Sequence, residues 1–228
     1  MKIKEILYEK KYDIPTSNKR ITGLIPVSNK LSHLGSGIQS IAYMHNKKPN
    51  TVIKVIQVKG INDPALAFIR LSINHPDNPF FPKIYKAKMF NLKSMSEEER
   101  DILFQQIDPS DSAPEPGTNV VVIIMEELIP MQLPENELES IRILQQLNIL
   151  PKDLSQMDSR PFVNVKRAFS TRANRKNLML SSSNVEFKQA IRLLEPLFRR
   201  HINDLHQDNM MLRKTGEGMQ LVIIDPIC

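Results

Sequence analysis

Three polar residues near the end of the chain have the types and spacing that suit transfer of a phosphoryl group. Asp204 and Asn209 lie five residues apart in one polar segment, and Asp225 follows the next apolar run. Phosphoryl transfer needs a carboxylate that orients the attacking hydroxyl, and it needs amide and carboxylate oxygens that hold Mg²⁺ on the phosphates. Asp204 is the candidate for the first role, and Asn209 and Asp225 for the second. The alternative is an Asx-rich turn whose side chains only cap the backbone.

Two earlier segments contain residues that could contact the phosphates of a nucleotide. Gly35, Ser36 and Gly37 precede Ser40, and glycines in a hairpin turn let backbone N–H groups approach a phosphate closely. A Gly-x-Gly turn alone is more often only a turn. Lys54 lies within an apolar, β-branched run, where a buried charge needs an anionic partner. The alternative is that Lys54 extends to solvent from an edge strand.

Two further groups of residues could have either a structural or a functional role. His206 lies inside the polar segment, where its protonated form could offset developing negative charge or its ring could pack under the loop. A basic run without an intervening acid consists of Lys166, Arg167, Arg172, Arg175 and Lys176. It could dock an acidic protein or nucleic acid, although a solvated basic loop is the commoner outcome.

The elements that must position these residues indicate an α+β fold. Periodicity predicts a β-rich first half and an α-rich second half. The predicted strands are 39–44, 51–56, 81–90 and 120–125, with two final strands at 210–212 and 221–224. The predicted helices are 65–73, 134–150 and 185–200. Residues 91–118 are expected to form a charged surface insertion, and residues 151–183 to be irregular and basic.

Composition restricts the partners without choosing one. The net charge of +6 favours anionic partners, while the absence of Trp and the presence of only four Tyr argue against nucleic acid as the primary ligand. The chain has no apolar run of membrane-spanning length and no apolar signal-peptide core, so no membrane partner is expected. Its single cysteine, Cys228, favours a reducing, cytoplasmic setting.

In their order, these residues resemble the protein-kinase superfamily from Leu34 to Asp225. The resemblance implies a bilobal fold, with a β-rich N-lobe in residues 1–128 and a truncated, mainly helical C-lobe in residues 129–228. It also implies that ATP and Mg²⁺ or Mn²⁺ bind in a cleft between the lobes.

The resemblance implies a role for each candidate residue. Asp204 matches the catalytic-loop aspartate, Asn209 the metal-binding asparagine, and Asp225 the metal-binding aspartate of the Asp-Phe-Gly motif. Lys54 matches the lysine that pairs with the phosphates, and His206 stands near a position where many kinases have a lysine. Residues from Glu126 to Leu128 match the hinge whose backbone contacts adenine, and Met125 matches the gatekeeper position.

A closer resemblance is to the early-gene serine/threonine protein kinases of short-tailed T-odd bacteriophages. It rests on segments 34–37, 40–43, 49–55, 67–70, 204–206, 209–211 and 224–226, of which the Asp-x-His loop and the Asp-Pro at 225–226 are the most specific. It implies an enzyme made early in infection that acts in the host bacterial cytoplasm. Its substrates would be host proteins, with the transcription machinery as one candidate, and the enzyme itself.

The chain also departs from the kinase pattern. Ile202-Asn203 replaces the usual His-Arg, and the helix after Lys54 contains no Glu. Only three residues follow Asp225, so an activation loop and a helical peptide platform are expected to be missing. The alternative function is therefore a pseudokinase that inhibits a host protein without phosphoryl transfer. A third reading is a small-molecule phosphotransferase, whose loop also has the Asp-x-His-x-x-Asn pattern.

Overall fold

The protein has a mixed α+β architecture with two antiparallel sheets, which confirms the predicted fold class at this level. The computed structural model describes Ile14 and residues 32–37, 40–45, 48–60, 62–97, 100, 119–156 and 163–227. Two compact units are present: Met1–Asn74 with Lys83–Glu127, and His75–Pro82 with Leu128–Cys228. The short segment 75–82 thus belongs to the second unit, although the expected N-lobe had included it.

A five-stranded antiparallel sheet and one helix make up the described part of the first unit. Its strands follow the order β1-β2-β3-β5-β4 across the sheet. The elements are β1 (Ser32–Gly37), β2 (Ser40–Met44), β3 (Thr51–Val58), α1 (Pro64–Asn74), β4 (Ile84–Asn91) and β5 (Asn119–Glu126).

Burial explains why the central strands are almost entirely apolar. Residues 120–125 of β5 are all buried, as expected for a strand between two neighbours with both faces covered. Helix α1 begins at Pro64, and the Asp63 carboxylate accepts from the N–H of Ala65 at 3.0 Å. Asp63 therefore caps the helix as its sequence position indicates.

The expected surface insertion at 91–118 does not begin as predicted. Asn91 is the last residue of β4, and a single 3₁₀ turn, Leu92–Ser94, follows it. Leu92 and Met95 are buried in the core of the first unit, because this turn folds its apolar side chains back against the sheet. Residues 101–118 lie outside the described part of the chain.

The second unit contains four α-helices and a three-stranded sheet in its described residues. Its sheet has the order β6-β7-β8. The elements are β6 (Ile129–Pro130), α2 (Glu137–Gln146), α3 (Val163–Ser170), α4 (Arg172–Ser181), α5 (Val185–Phe198), β7 (Met210–Thr215) and β8 (Gly218–Ile223).

Helices α3 and α4 occupy a segment for which irregular structure was expected, so that interpretation was wrong for residues 163–181. Val165 and Phe169, one turn apart, are fully buried and give α3 an apolar stripe. The Thr171 hydroxyl accepts from the N–H of Asn174 at 3.0 Å and caps α4. Both helices are short, and their polar composition hides the apolar stripe of α3 and the cap of α4 from a reading of the sequence.

Segment 75–82 is joined to the second unit by side chains distant in sequence. The Arg213 guanidinium, on β7, donates to the carbonyls of Pro79 at 2.7 Å and Phe81 at 2.8 Å. The Phe80 ring lies 5.1 Å from that of Phe187 on α5. Because Arg213 is buried, its two carbonyl partners satisfy donors that would otherwise be costly to desolvate.

Candidate functional site

The segment that contains Asp225 runs beside the segment that begins with Asp204. The N–H of Asp204 donates to the carbonyl of Pro226 at 3.0 Å, and the N–H of Ile224 donates to the carbonyl of Asn209 at 3.0 Å. These two hydrogen bonds lie on either side of Asp225 in sequence. They therefore hold its backbone against the loop 204–209, and all three predicted phosphoryl-transfer residues lie in one region of the second unit.

The Asn209 side chain has a defined orientation. Its Nδ2 donates to the main-chain carbonyl of Asp204 at 2.7 Å and lies 3.3 Å from the Asp204 carboxylate. Because only the amide nitrogen can donate to these two oxygens, the contacts distinguish Nδ2 from Oδ1. The oxygen Oδ1 therefore points away from Asp204, and it is the atom of Asn209 that could coordinate a cation.

His206 bridges the loop through both ring nitrogens. Nδ1 accepts from the N–H of Asp208 at 3.2 Å and lies 3.2 Å from the Asp208 carboxylate. Nε2 lies 3.6 Å from the Asp204 carboxylate and 3.1 Å from Nδ2 of Asn209. His206 is thus part of the cluster around Asp204, and 22% of its side-chain surface is exposed.

Asn203 anchors the loop, a role that the sequence interpretation did not assign to it. Its Nδ2 donates to the Phe169 carbonyl at 2.5 Å, and its Oδ1 accepts from the N–H of Leu205 at 3.1 Å. Leu205 is itself buried. Asn203 therefore ties the start of the loop to the end of α3. The sequence signal for this anchoring role was the Asn at position 203, where the kinase pattern has Arg, but on its own it indicates only a departure from that pattern.

The donor atoms of the loop suit a hard cation. The amide oxygen of Asn209 and the carboxylate of Asp225 are oxygen ligands of the kind that Mg²⁺ prefers, and Mg²⁺ commonly retains water and phosphate ligands. The described residues include no cluster of three or more His, Cys, Asp or Glu that could hold a metal.

Lys54 lies on an interior strand of the first unit. Strand β3 pairs with β2 and with β5, and Lys54 is opposite Ala42 on one side and Ile123 on the other. The alternative that Lys54 extends from an edge strand is therefore wrong. Its side chain is half-buried, between buried Ile53 and Val55 in sequence.

The expected glycine-rich turn is only partly described. Gly35, Ser36 and Gly37 belong to β1, and Gly37 pairs with Ser40 at the start of β2. The two residues between these strands lie outside the described ranges. The three residues expected in the turn are therefore strand residues that flank the connection.

The two hinge candidates differ in their surroundings. The buried Glu126 carboxylate accepts from the N–H of Lys83 at 2.8 Å, and the Glu126 N–H donates to the Lys83 carbonyl at 3.0 Å. This side chain thus secures the residue that precedes β4. Leu128 is a buried residue of the second unit.

No helix in the described ranges has the length and apolarity needed to cross a membrane. A scan against protein-family models finds no family that matches the chain, and a search of curated proteins finds no similar one.

Proposed function

We propose that this chain is an ATP-dependent serine/threonine protein kinase with a bilobal kinase-like fold. In this proposal it transfers the γ-phosphate of ATP to host proteins and to itself, in the bacterial cytoplasm during phage infection. The observation that carries the proposal is the pair of backbone hydrogen bonds on either side of Asp225, from Asp204 to Pro226 and from Ile224 to Asn209. They hold the backbone of Asp225 beside the segment that contains Asp204 and Asn209, and a carboxylate, an amide and a second carboxylate are the set that phosphoryl transfer needs.

Each residue of the loop has a distinct task in this mechanism. The Asp204 carboxylate accepts a hydrogen bond from the substrate hydroxyl and orients its oxygen toward the γ-phosphorus. The Asn209 Oδ1 and the Asp225 carboxylate would hold Mg²⁺, whose chemistry would be to neutralise charge on the phosphates. The His206 ring, whose Nε2 lies 3.6 Å from the Asp204 carboxylate, stands beside the reacting groups in this proposal.

The remaining candidates bind the nucleotide in the proposal. Lys54 pairs with phosphate oxygens, and the backbone of Gly35, Ser36 and Gly37 with Ser40 covers the phosphates. The backbone of Glu126 and Leu128 contacts adenine. Position on an interior strand supports the role of Lys54, because such a strand holds its side chains in a fixed direction.

Phosphate transfer from γ-labelled ATP, measured with Mg²⁺ or Mn²⁺ and host extract, tests the proposal. Asp204→Asn should lower transfer about 100-fold or more, because the orienting carboxylate is lost. Asp77→Asn, the same change at an exposed position of the second unit, is the matched control and should behave as wild type. Equal labelling by wild type and Asp204→Asn would refute the assignment.

The composition of α1 favours a second candidate, a pseudokinase that inhibits a host protein without phosphoryl transfer. Helix α1 contains no Asp or Glu, so it offers no carboxylate to orient Lys54. This alternative predicts capture of one host protein equally with and without ATP, and no labelled product from either protein. Nucleotide-dependent labelling that Asp204→Asn abolishes would exclude it.

A further inference from the structure

Helices α3 and α4 form a hairpin, residues 163–181, that carries positive charge next to the loop 204–209; we call it the basic hairpin. Its four exposed cations are Lys166, Arg167, Arg172 and Lys176. The sequence contains no Asp or Glu from residue 159 to residue 185. Within the described ranges none of the four makes an ion pair. Their charge therefore faces solvent.

The turn of the basic hairpin is held by a hydrogen-bond cluster. The Asn174 side chain donates to the Arg167 carbonyl at 2.8 Å and to the Ser170 hydroxyl at 3.2 Å. The Ser170 hydroxyl also donates to the Arg167 carbonyl, at 2.9 Å. These contacts fix α3 relative to α4. The cations near the turn, Arg167 and Arg172, are thus presented from a rigid support, which lowers the entropic cost of binding a partner.

The fifth basic residue of the run has a different task. Arg175 is buried, and its Nε lies 2.6 Å from Oε1 of Glu195 on α5. Its Nη1 donates to the Phe169 carbonyl at 2.8 Å, and its guanidinium lies 4.6 Å from the centre of the Phe198 ring. Arg175 therefore attaches the basic hairpin to α5 and contributes nothing to the exposed charge.

The basic hairpin is joined directly to the loop that contains Asp204. The Phe169 carbonyl, which accepts from Arg175, also accepts from the side chain of Asn203 at 2.5 Å. Helix α3 packs against the turn at 207–209. One backbone carbonyl thus links the exposed cations to the residue that immediately precedes Asp204.

From this arrangement we propose that the basic hairpin docks an acidic segment of the protein substrate and so presents a neighbouring Ser or Thr to Asp204. This inference rests on the proposed kinase function and specifies its substrate class, namely proteins with Asp or Glu close to the acceptor hydroxyl. Single-stranded nucleic acid is disfavoured because the described hairpin exposes no aromatic ring, its one aromatic residue, Phe169, being buried.

Binding is tested without catalysis, by fluorescence anisotropy. The probe is a labelled peptide with one serine flanked by Glu and Asp, and its reference is the peptide with Gln and Asn instead. Wild type and Asp77→Asn, a change at an exposed position outside the proposed site, should bind the acidic peptide equally. The variant K166Q/R167Q/R172Q/K176Q should bind it about 10-fold more weakly, because each exposed ion pair contributes only modestly. Affinity should fall as salt rises.

The matched control removes four exposed cations from the first unit: K48Q/K59Q/K86Q/K93Q. It has the same loss of net charge, and it should bind the acidic peptide as wild type does. Thermal unfolding of each variant shows whether it is folded. A charge-reversed variant gives an independent test: K166E/R167E/R172E/K176E, in which all four exposed cations become anions, should prefer a peptide with Lys in place of Glu and Asp. Loss of folding cannot produce such a reversal of preference.

The outcomes separate the docking proposal from the kinase proposal. Equal affinity of wild type and the four-Gln variant for the acidic peptide would overturn docking, whatever the phosphate-transfer result. Tighter binding of an RNA or DNA oligonucleotide than of the acidic peptide, lost in the four-Gln variant, would overturn it in favour of nucleic acid. Hairpin-dependent peptide binding without any phosphate transfer would support docking and count against the kinase function.

Discussion

The side-chain amide nitrogen of Asn209 donates a hydrogen bond to the main-chain carbonyl oxygen of Asp204, at 2.7 Å. This bond closes the loop across five residues and directs Oδ1 of the amide away from Asp204. One side chain therefore holds the loop with its nitrogen and leaves its oxygen for a ligand. Asn is required for both tasks, because Asp lacks the donor and Gln is one methylene longer.

Replacement of Asn209 by Asp should destabilise the second unit. The new carboxylate oxygen would face the Asp204 carbonyl and carboxylate, so a hydrogen bond is exchanged for repulsion. We expect the free energy of unfolding to fall by about 1–3 kcal/mol in urea titrations. Asn177→Asp, at an exposed position of α4, should change it by less than about 0.5 kcal/mol. Equal effects would show that the loop hydrogen bond is unimportant.

Asp225 should control the metal requirement of the reaction. If its carboxylate is a Mg²⁺ ligand, Asp225→Asn should raise the Mg²⁺ concentration for half-maximal phosphate transfer about 10-fold or more, and a chelator should abolish transfer by wild type. Glu217→Gln, in the exposed turn between β7 and β8, is the control. An unchanged Mg²⁺ dependence would remove Asp225 from the metal site.

The buried pair Arg175–Glu195 should be sensitive to removal of either partner. Arg175→Met would leave the Glu195 carboxylate buried without its cation, and among the described residues Oε2 of Glu195 already has no hydrogen-bond partner. We expect the free energy of unfolding to fall by about 3 kcal/mol or more.

A double-mutant cycle separates charge from packing at this pair. The variant R175M/E195L should lose less stability than the sum of the two single variants, because neither charge is left alone. Arg172→Met, exposed on the same helix, is the matched control. Strict additivity would contradict the interpretation of the pair as coupled charges.

His75 should make stability depend on mildly acidic pH. Burial lowers the pKa of His75 below its ordinary value of 6.5, so the unfolded chain binds the proton more readily than the folded protein does. The His75 contribution is therefore complete above that ordinary value and is lost as pH falls below it. His75→Gln should lose less stability than wild type between about pH 7 and pH 5. Parallel curves of unfolding free energy against pH would contradict this.

Strands β2 to β5, β7 and β8 and helices α1, α2 and α5 were readable from the sequence because burial imposes periodicity, whereas strands β1 and β6 were not predicted. Residues 120–125 form a continuous apolar run and became the buried strand β5. The short helices α3 and α4 were missed because their polar and basic residues outnumber the few buried ones, Val165 and Phe169 in α3 and Arg175 and Leu178 in α4. A buried arginine gives no hydrophobic signal, so its helix appears polar all round.

The candidate site shows a similar division between side chains and backbone. Asp204, Asn209 and Asp225 stood out because their types and spacing are those that phosphoryl transfer needs. The Phe169 carbonyl, which joins the loop to the basic hairpin, could not be found this way, since every residue has a carbonyl. Contacts between residues distant in sequence decide which carbonyl accepts these side-chain hydrogen bonds.

The Arg213 contacts to Pro79 and Phe81 have a practical consequence for dissection of the protein. Residues 75–82 lie more than 40 positions before the rest of their unit, which starts at Leu128. A truncated chain that begins at residue 128 would lack the Phe80 ring that packs on Phe187, and the Arg213 guanidinium would lose its two carbonyl acceptors. Autonomous folding of this half requires that the octapeptide be grafted back, for instance through a short linker ahead of residue 128.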